Sequence, residues 1–80
     1  MVIKKFVPVI ARFEEDGIIT PQKVIWENGR VFEIDQVLDM RPGVSLKAGG
    51  QGMRYLCRIM KKDVYIYYEE PKWFVESKER

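Results

Sequence analysis

The 80-residue chain contains no histidine and one cysteine, Cys57. A single thiol excludes an intramolecular disulfide, and without histidine the common structural zinc sets cannot be assembled. The Cys–His and Ser–His–Asp arrangements of nucleophilic catalysis are excluded with them. No apolar run approaches the length of about 20 residues that a membrane-spanning helix needs. Met1-Val2-Ile3-Lys4-Lys5-Phe6 begins like a signal peptide, but the apolar stretch after it is too short, and Arg12 and Glu14 interrupt it. These absences point to a cytoplasmic domain that is no enzyme, needs no cofactor or metal, and stays out of the membrane. A lone thiol suits that reducing compartment.

What is present reads as β structure. Hydrophobic residues make up 46% and aromatics 12%, enough for a small core. Asp16-Gly17 and Asn28-Gly29 sit between strand-forming segments, where each predicts a two-residue type I′ hairpin turn. In the second hairpin that turn sets Glu27 opposite Arg30, Trp26 opposite Val31 and Ile25 opposite Phe32. Val7, Val9, Ala11 and Phe13 alternate with other residues as a half-buried strand does. Pro8 suits an edge or the start of pairing, and Pro21 divides the second strand. Residues 36–40 suit the end of a strand, with a short helical turn as competitor.

Residues 41–52 have no clean period and four glycines, and read as a long loop. Strand character resumes at residues 53–61, a tight Lys62-Asp63 turn leads into residues 64–69, and Glu70-Pro71-Lys72 turns into a short final strand. The expectation is an all-β fold: a five- to six-stranded antiparallel meander curled into a small barrel or roll, SH3-like as first choice. Residues 1–76 form a single domain and residues 77–80 a frayed C-terminal tail.

The net charge of +2 conceals an asymmetry. Residues 41–62 hold six basic side chains (Arg41, Lys47, Arg54, Arg58, Lys61, Lys62) and no acid. The remaining eight basic residues face all 12 acids, a balance of −4. Such segregation gives a small domain an oriented field. Strand parity puts Tyr55, Cys57 and Ile59 on one face and Arg54, Leu56, Arg58 and Met60 on the other. A two-residue turn at Lys62-Asp63 adds Tyr65 and Tyr67 to the arginine face, where charge can hold phosphates and rings can stack on bases.

Several motifs carry a bland reading as well. Lys47-Ala48-Gly49-Gly50-Gln51-Gly52 could cradle an anion through its backbone, but its spacing matches neither the P-loop nor the dinucleotide fingerprint. Glycines that bend a barrel corner explain it equally. Gly49-Gly50-Gln51 resembles the catalytic tripeptide of peptide-chain release factors, a likeness of three residues that nothing else in the chain extends. Cys57 reads as a core thiol, Trp26 and Trp73 as core or edge cover, and Glu33 and Asp35 as a solvated strand face that could also meet a cation. The candidate ligand-binding set is therefore Lys47, Gln51, Arg54, Arg58, Tyr65 and Tyr67, with no catalytic residue. A nucleic acid or another phosphate-bearing molecule is the leading partner. The alternative is a protein partner or homo-oligomer, with Leu56 and Met60 in the interface and the arginines as its rim.

The strings Ile25-Trp26-Glu27-Asn28-Gly29-Arg30, Leu46-Lys47-Ala48-Gly49-Gly50-Gln51-Gly52, Arg54-Tyr55 and Trp73-Phe74-Val75 resemble a group of short proteins of Gram-positive bacteria. The resemblance covers about half the chain and implies no activity, because none is established for that group.

Overall fold

The computed structural model describes residues 2–43 and 52–78. Eight strands form among them: β1 Val2–Phe6, β2 Val9–Phe13, β3 Ile19–Ile25, β4 Val31–Glu33, β5 Gln36–Pro42, β6 Met53–Ile59, β7 Lys62–Glu69 and β8 Lys72–Lys78. They pair into a five-stranded sheet ordered β1-β8-β7-β6-β5 and a three-stranded sheet ordered β2-β3-β4, each antiparallel throughout.

The all-β class is as expected, but instead of five or six strands curled into a barrel or roll the described residues form two sheets and no closed barrel. The difference lies at two corners, where the chain changes sheets within one residue step. The Val7 amide donates to the Trp73 carbonyl in the larger sheet, whereas the Pro8 carbonyl accepts from the Ile25 amide in the smaller one. At the second corner the Ile34 amide donates to Gln22 and the next amide, Asp35, donates to Arg58. Pro8 has no N–H with which to continue the β1–β8 ladder, so pairing stops there. Strands that switch sheets at a bend are how two packed sheets make a corner without closing. At the second corner residues 30–38, strand-forming throughout in sequence, are therefore divided between β4 and β5.

The turns also differ from expectation. Among the described residues outside glycine, only Met60 and Lys61 have positive φ, at 50° and 65°. Asp16 and Asn28 thus cannot be the first residue of a type I′ turn, which requires positive φ at both centres. Instead the Gly17 amide bonds to Glu14 and the Gly29 amide to Trp26, closing type I turns, with Gly17 and Gly29 at φ 89° and 85° as the bulge residue of a three-residue loop. Asp16 Oδ1 accepts the Ile18 amide at 3.0 Å, and Asn28 Oδ1 accepts the Arg30 amide at 2.9 Å. This side-chain bond to the backbone two residues on supplies the turn that a second positive φ would otherwise have made. The second hairpin shifts by one residue in consequence: Ile25 faces Val31 and Val24 faces Phe32.

The β6–β7 turn is Met60-Lys61, two residues before the expected Lys62-Asp63, with Ile59 paired to Lys62 and Arg54 to Tyr67. A shift of two preserves strand parity, so Arg54, Leu56, Arg58, Tyr65 and Tyr67 share a face as expected although their partners differ. Met60, expected with them, lies in the turn and borders the space between the sheets. β3 runs unbroken through Pro21, which is buried at the register shift between Ile10 and Ala11, a bulge where a missing donor costs nothing. Residues 36–40 are strand throughout and the helical turn does not form. The Glu70–Pro71 peptide of the β7–β8 turn is cis.

The core lies between the sheets. Val7, Val24, Tyr55, Cys57, Ile66, Trp73 and Val75 form its buried cluster, with Cys57 and Ile66 wholly inaccessible. Trp73 packs against Tyr55 and Tyr68 at ring distances of 5.5 and 4.5 Å. The Tyr55 hydroxyl donates across to the Ile19 carbonyl, tying the larger sheet to β3.

Candidate functional site

The outer face of the five-stranded sheet carries the second concentration of aromatic residues. The register sets Phe6 beside Phe74, Phe74 beside Tyr67, Tyr67 beside Arg54, and Arg54 beside Arg41, one residue from each strand. The rings make a continuous series. Phe6 meets Phe74 edge-on at 5.8 Å, Phe74 stacks on Tyr67 at 4.9 Å and 8°, and Tyr67 lies 6.5 Å from Tyr65.

No second sheet covers these rings, yet Phe74 is fully buried and Tyr67 nearly so. Cationic side chains cover part of them instead. Lys72 sits over Phe6 at 5.2 Å, Lys4 over Phe74 at 4.9 Å, and Arg54 over Tyr65 at 5.0 Å. Long aliphatic stems exclude water from the ring faces while the charges remain at the surface. Phe6 and Tyr65, at the two ends of the series, stay about half exposed.

Of the six sequence-derived residues, Arg54, Arg58, Tyr65 and Tyr67 share this face. Their availability differs. Arg54 and Tyr65 form a half-open cation–ring pair. Tyr67 is buried beneath its neighbours, and its hydroxyl donates to Glu76 Oε1 at 2.8 Å, so its ring cannot receive a stacking ligand. Burial, then the bond to Glu76 and its negative charge, push the Tyr67 hydroxyl up to about 12. Arg58 is held by Asp63 at 3.3 Å. Lys47 and Gln51 lie outside the described residues. They fall in sequence between β5 and β6, and the described residues that flank them are joined by the Gly43 amide donating to the Gly52 carbonyl at 2.8 Å. A Cβ on Gly52 would stand 2.1 Å from the Tyr68 carbonyl oxygen, so that glycine is needed for close backbone approach.

The +6 segment is not a +6 surface. Within it Arg58 is paired with Asp63 of the neighbouring strand β7, and Arg41 with Asp39 of its own strand β5 at 2.7 Å. Among the described residues Arg54 has no carboxylate within salt-bridge distance.

Sequence parity missed Phe6, Phe74, Lys4 and Lys72, four of the seven residues in the ring-and-cation series. The alternation within β8 could have placed Phe74 opposite Trp73, but the pairing of β1 with β8 joins residues about seventy apart, and no turn announces it.

Cys57 points into the core, where burial pushes its thiol up to about 12, the reverse of a reactive thiolate. Burial, then the charges of Tyr68 and Cys57, also raise the Tyr55 hydroxyl. Among the described residues no three His, Cys, Asp or Glu side chains converge on a metal-sized site, Glu33 and Asp35 included, and no helix is long and apolar enough to cross a membrane. No protein family matches the chain, and no curated protein or solved structure is significantly similar to it.

Proposed function

We propose that the protein is a cytoplasmic, non-enzymatic binding module whose site is the outer face of the five-stranded sheet, and that it takes single-stranded nucleic acid or a similar phosphate-bearing chain. The observation that carries this reading is the series of four rings topped by three cations. At its ends a half-exposed ring and a cation stand together, Tyr65 with Arg54 and Phe6 with Lys72. A base stacks on each exposed ring and the adjacent cation takes a phosphate, a combination that tolerates any sequence. Tyr67 and Phe74 serve as the rigid floor on which the exposed rings rest. Arg58 is a secondary phosphate contact, freed only by exchanging Asp63.

Fluorescence anisotropy with short labelled single- and double-stranded oligonucleotides at low salt is the test. Single strands should bind more tightly than duplex. With two to three phosphates engaged, log K should fall against log salt with a slope of roughly −1.5 to −2. Tyr65→Ala should cost about 1–3 kcal/mol of binding, the worth of one stacked base. Absence of binding to every oligonucleotide at low salt ends this reading.

The carboxylates interleaved with the arginines favour a second reading. A face with balanced charge, half-exposed Phe6 and Tyr65, and Leu56 cross-strand from Tyr65 resembles a protein interface with an apolar centre and a charged rim. Sedimentation equilibrium distinguishes self-association, which Tyr65→Ala or Phe6→Ser would then abolish.

A further inference from the structure

The open end of the core, away from the outer face, holds a cavity of about 380 Å³ between the two sheets. Val24, Trp26 and Phe32 of the smaller sheet line one wall, and Ile59, Val64 and Ile66 of the larger sheet line the other. Its volume falls in the range of small-molecule pockets, about 300–1,000 Å³. One charged residue borders it, Lys62. Lys62 pairs with Ile59 and shares strand parity with Val64 and Ile66, so it stands in core-facing register at the mouth of an apolar trough. No carboxylate lies within salt-bridge distance of it among the described residues, whereas the other lysine at this end, Lys5 above the Trp26 ring, is bound to Glu27 at 3.0 Å.

A second observation coincides with the first. The turn that presents Lys62 is Met60-Lys61, the one place among the described residues where non-glycine residues hold positive φ. Each costs roughly 1–2 kcal/mol relative to an ordinary conformation. A two-residue type I′ hairpin turn requires this geometry, and Met60 and Lys61 hold it without the usual asparagine or glycine. Here it places Met60, 64% exposed and also lining the cavity, at its rim. Methionine is unbranched and adapts its shape to varied apolar ligands.

We infer that this cavity binds a small amphipathic anion, a medium-chain carboxylate, with its hydrocarbon tail between the sheets and its carboxylate on Lys62. The tail replaces exposed apolar wall, Met60 folds over it, and the Lys62 ammonium satisfies the head group. This site is separate from the outer face and needs neither Arg54 nor Tyr65.

The test is a titration of the isotope-labelled protein with decanoate, below its micellar range, followed by methyl NMR. Decanol and decyltrimethylammonium serve as neutral and cationic counterparts. Shifts should concentrate on Val24, Ile59, Val64 and Ile66, with decanoate binding more tightly than decanol and the cation weakest. Lys62→Met, at an exposed position that folding tolerates, should weaken decanoate roughly fivefold and leave decanol unchanged. No shift at these methyls, equal affinity for decanoate and decanol, or a Lys62→Met variant with unaltered decanoate affinity would each overturn the assignment.

Discussion

On the inner face of the five-stranded sheet, Tyr55, Cys57, Ile66, Trp73 and Val75 are buried against a second sheet. On the outer face, Phe74 and Tyr67 are buried to the same degree beneath two half-exposed rings and the stems of Lys4, Lys72 and Arg54. Equal burial is thus reached by two routes, one by secondary structure and the other by long side chains. The second route leaves rings within reach of a partner, because a lysine can swing aside and a sheet cannot. A small domain that finishes one face with side chains keeps that face both stable and available.

The comparison breaks most readily at its largest buried residues. Phe74→Ala on the outer face should cost about 3–5 kcal/mol, on the scale of the roughly 2–5 kcal/mol expected for Ile66→Ala on the inner one. Urea denaturation of the two variants measures both. A Phe74→Ala cost below about 1 kcal/mol would show that the side-chain cover does not protect the rings as the sheet does.

The two buried tyrosine hydroxyls sharpen the contrast. Tyr55 is bonded to a carbonyl of the other sheet and Tyr67 to a carboxylate of its own. Each should lose about 0.5–3 kcal/mol on replacement by Phe, with Tyr67→Phe the larger loss because its acceptor is charged.

A pH series separates the faces further. Cys57 and Tyr67 are both raised to about 12, from ordinary values of 9.0 and 10.0. A raised acid favours its neutral form in the fold, so its contribution is complete below the unfolded value and is lost as pH climbs through the folded one. Stability should therefore decline from about pH 9 upward and more steeply above pH 10. Cys57→Ala should flatten the first part of the decline and Tyr67→Phe the second, followed by circular dichroism in urea at each pH.

The smallest effect concerns the turn that joins β6 to β7. Replacing Met60-Lys61 by Asn-Gly puts residues that adopt positive φ at little cost at both positions and should stabilise the protein by about 1 kcal/mol, read from the urea midpoint. If the strained turn serves the adjacent cavity, the same variant should weaken decanoate binding while raising stability. Parallel gains in both would separate the turn from the site.

Local pattern revealed much of this fold. Alternation assigned Tyr55 and Cys57 to one face and Arg54, Arg58, Tyr65 and Tyr67 to the other, and an error of two residues in the turn left that intact because side chains alternate with period two. The same pattern failed at Asn28-Gly29, where a one-residue difference in loop length moved Phe32 from Ile25 to Val24. Dipeptide composition does not distinguish a two-residue loop from a three-residue loop with a glycine bulge, since both want glycine at the same place. In the candidate site, sequence parity put Arg54 and Tyr65 on one face, but Tyr67 was not recognised as buried. Its neighbour Phe74 comes from a strand whose alignment with β7 depends on the turn at Glu70-Pro71.

The sequence by itself determined the all-β class, the positions of most turns, the lone core thiol and the clustering of positive charge between residues 41 and 62. These follow from single residues and their near neighbours. Only the tertiary structure decided how charges distant in the chain meet, by bringing Glu69 beside Lys4, 65 residues away, whereas Asp39 and Asp63 pair with Arg41 and Arg58 from two and five residues away. It also decided that Phe6 and Lys4 of the first strand would complete an aromatic face with Phe74 and Tyr67 of the last two. The physical reason is the same in both cases: strand pairing joins residues far apart in the chain, and electrostatics and packing act on distance in space.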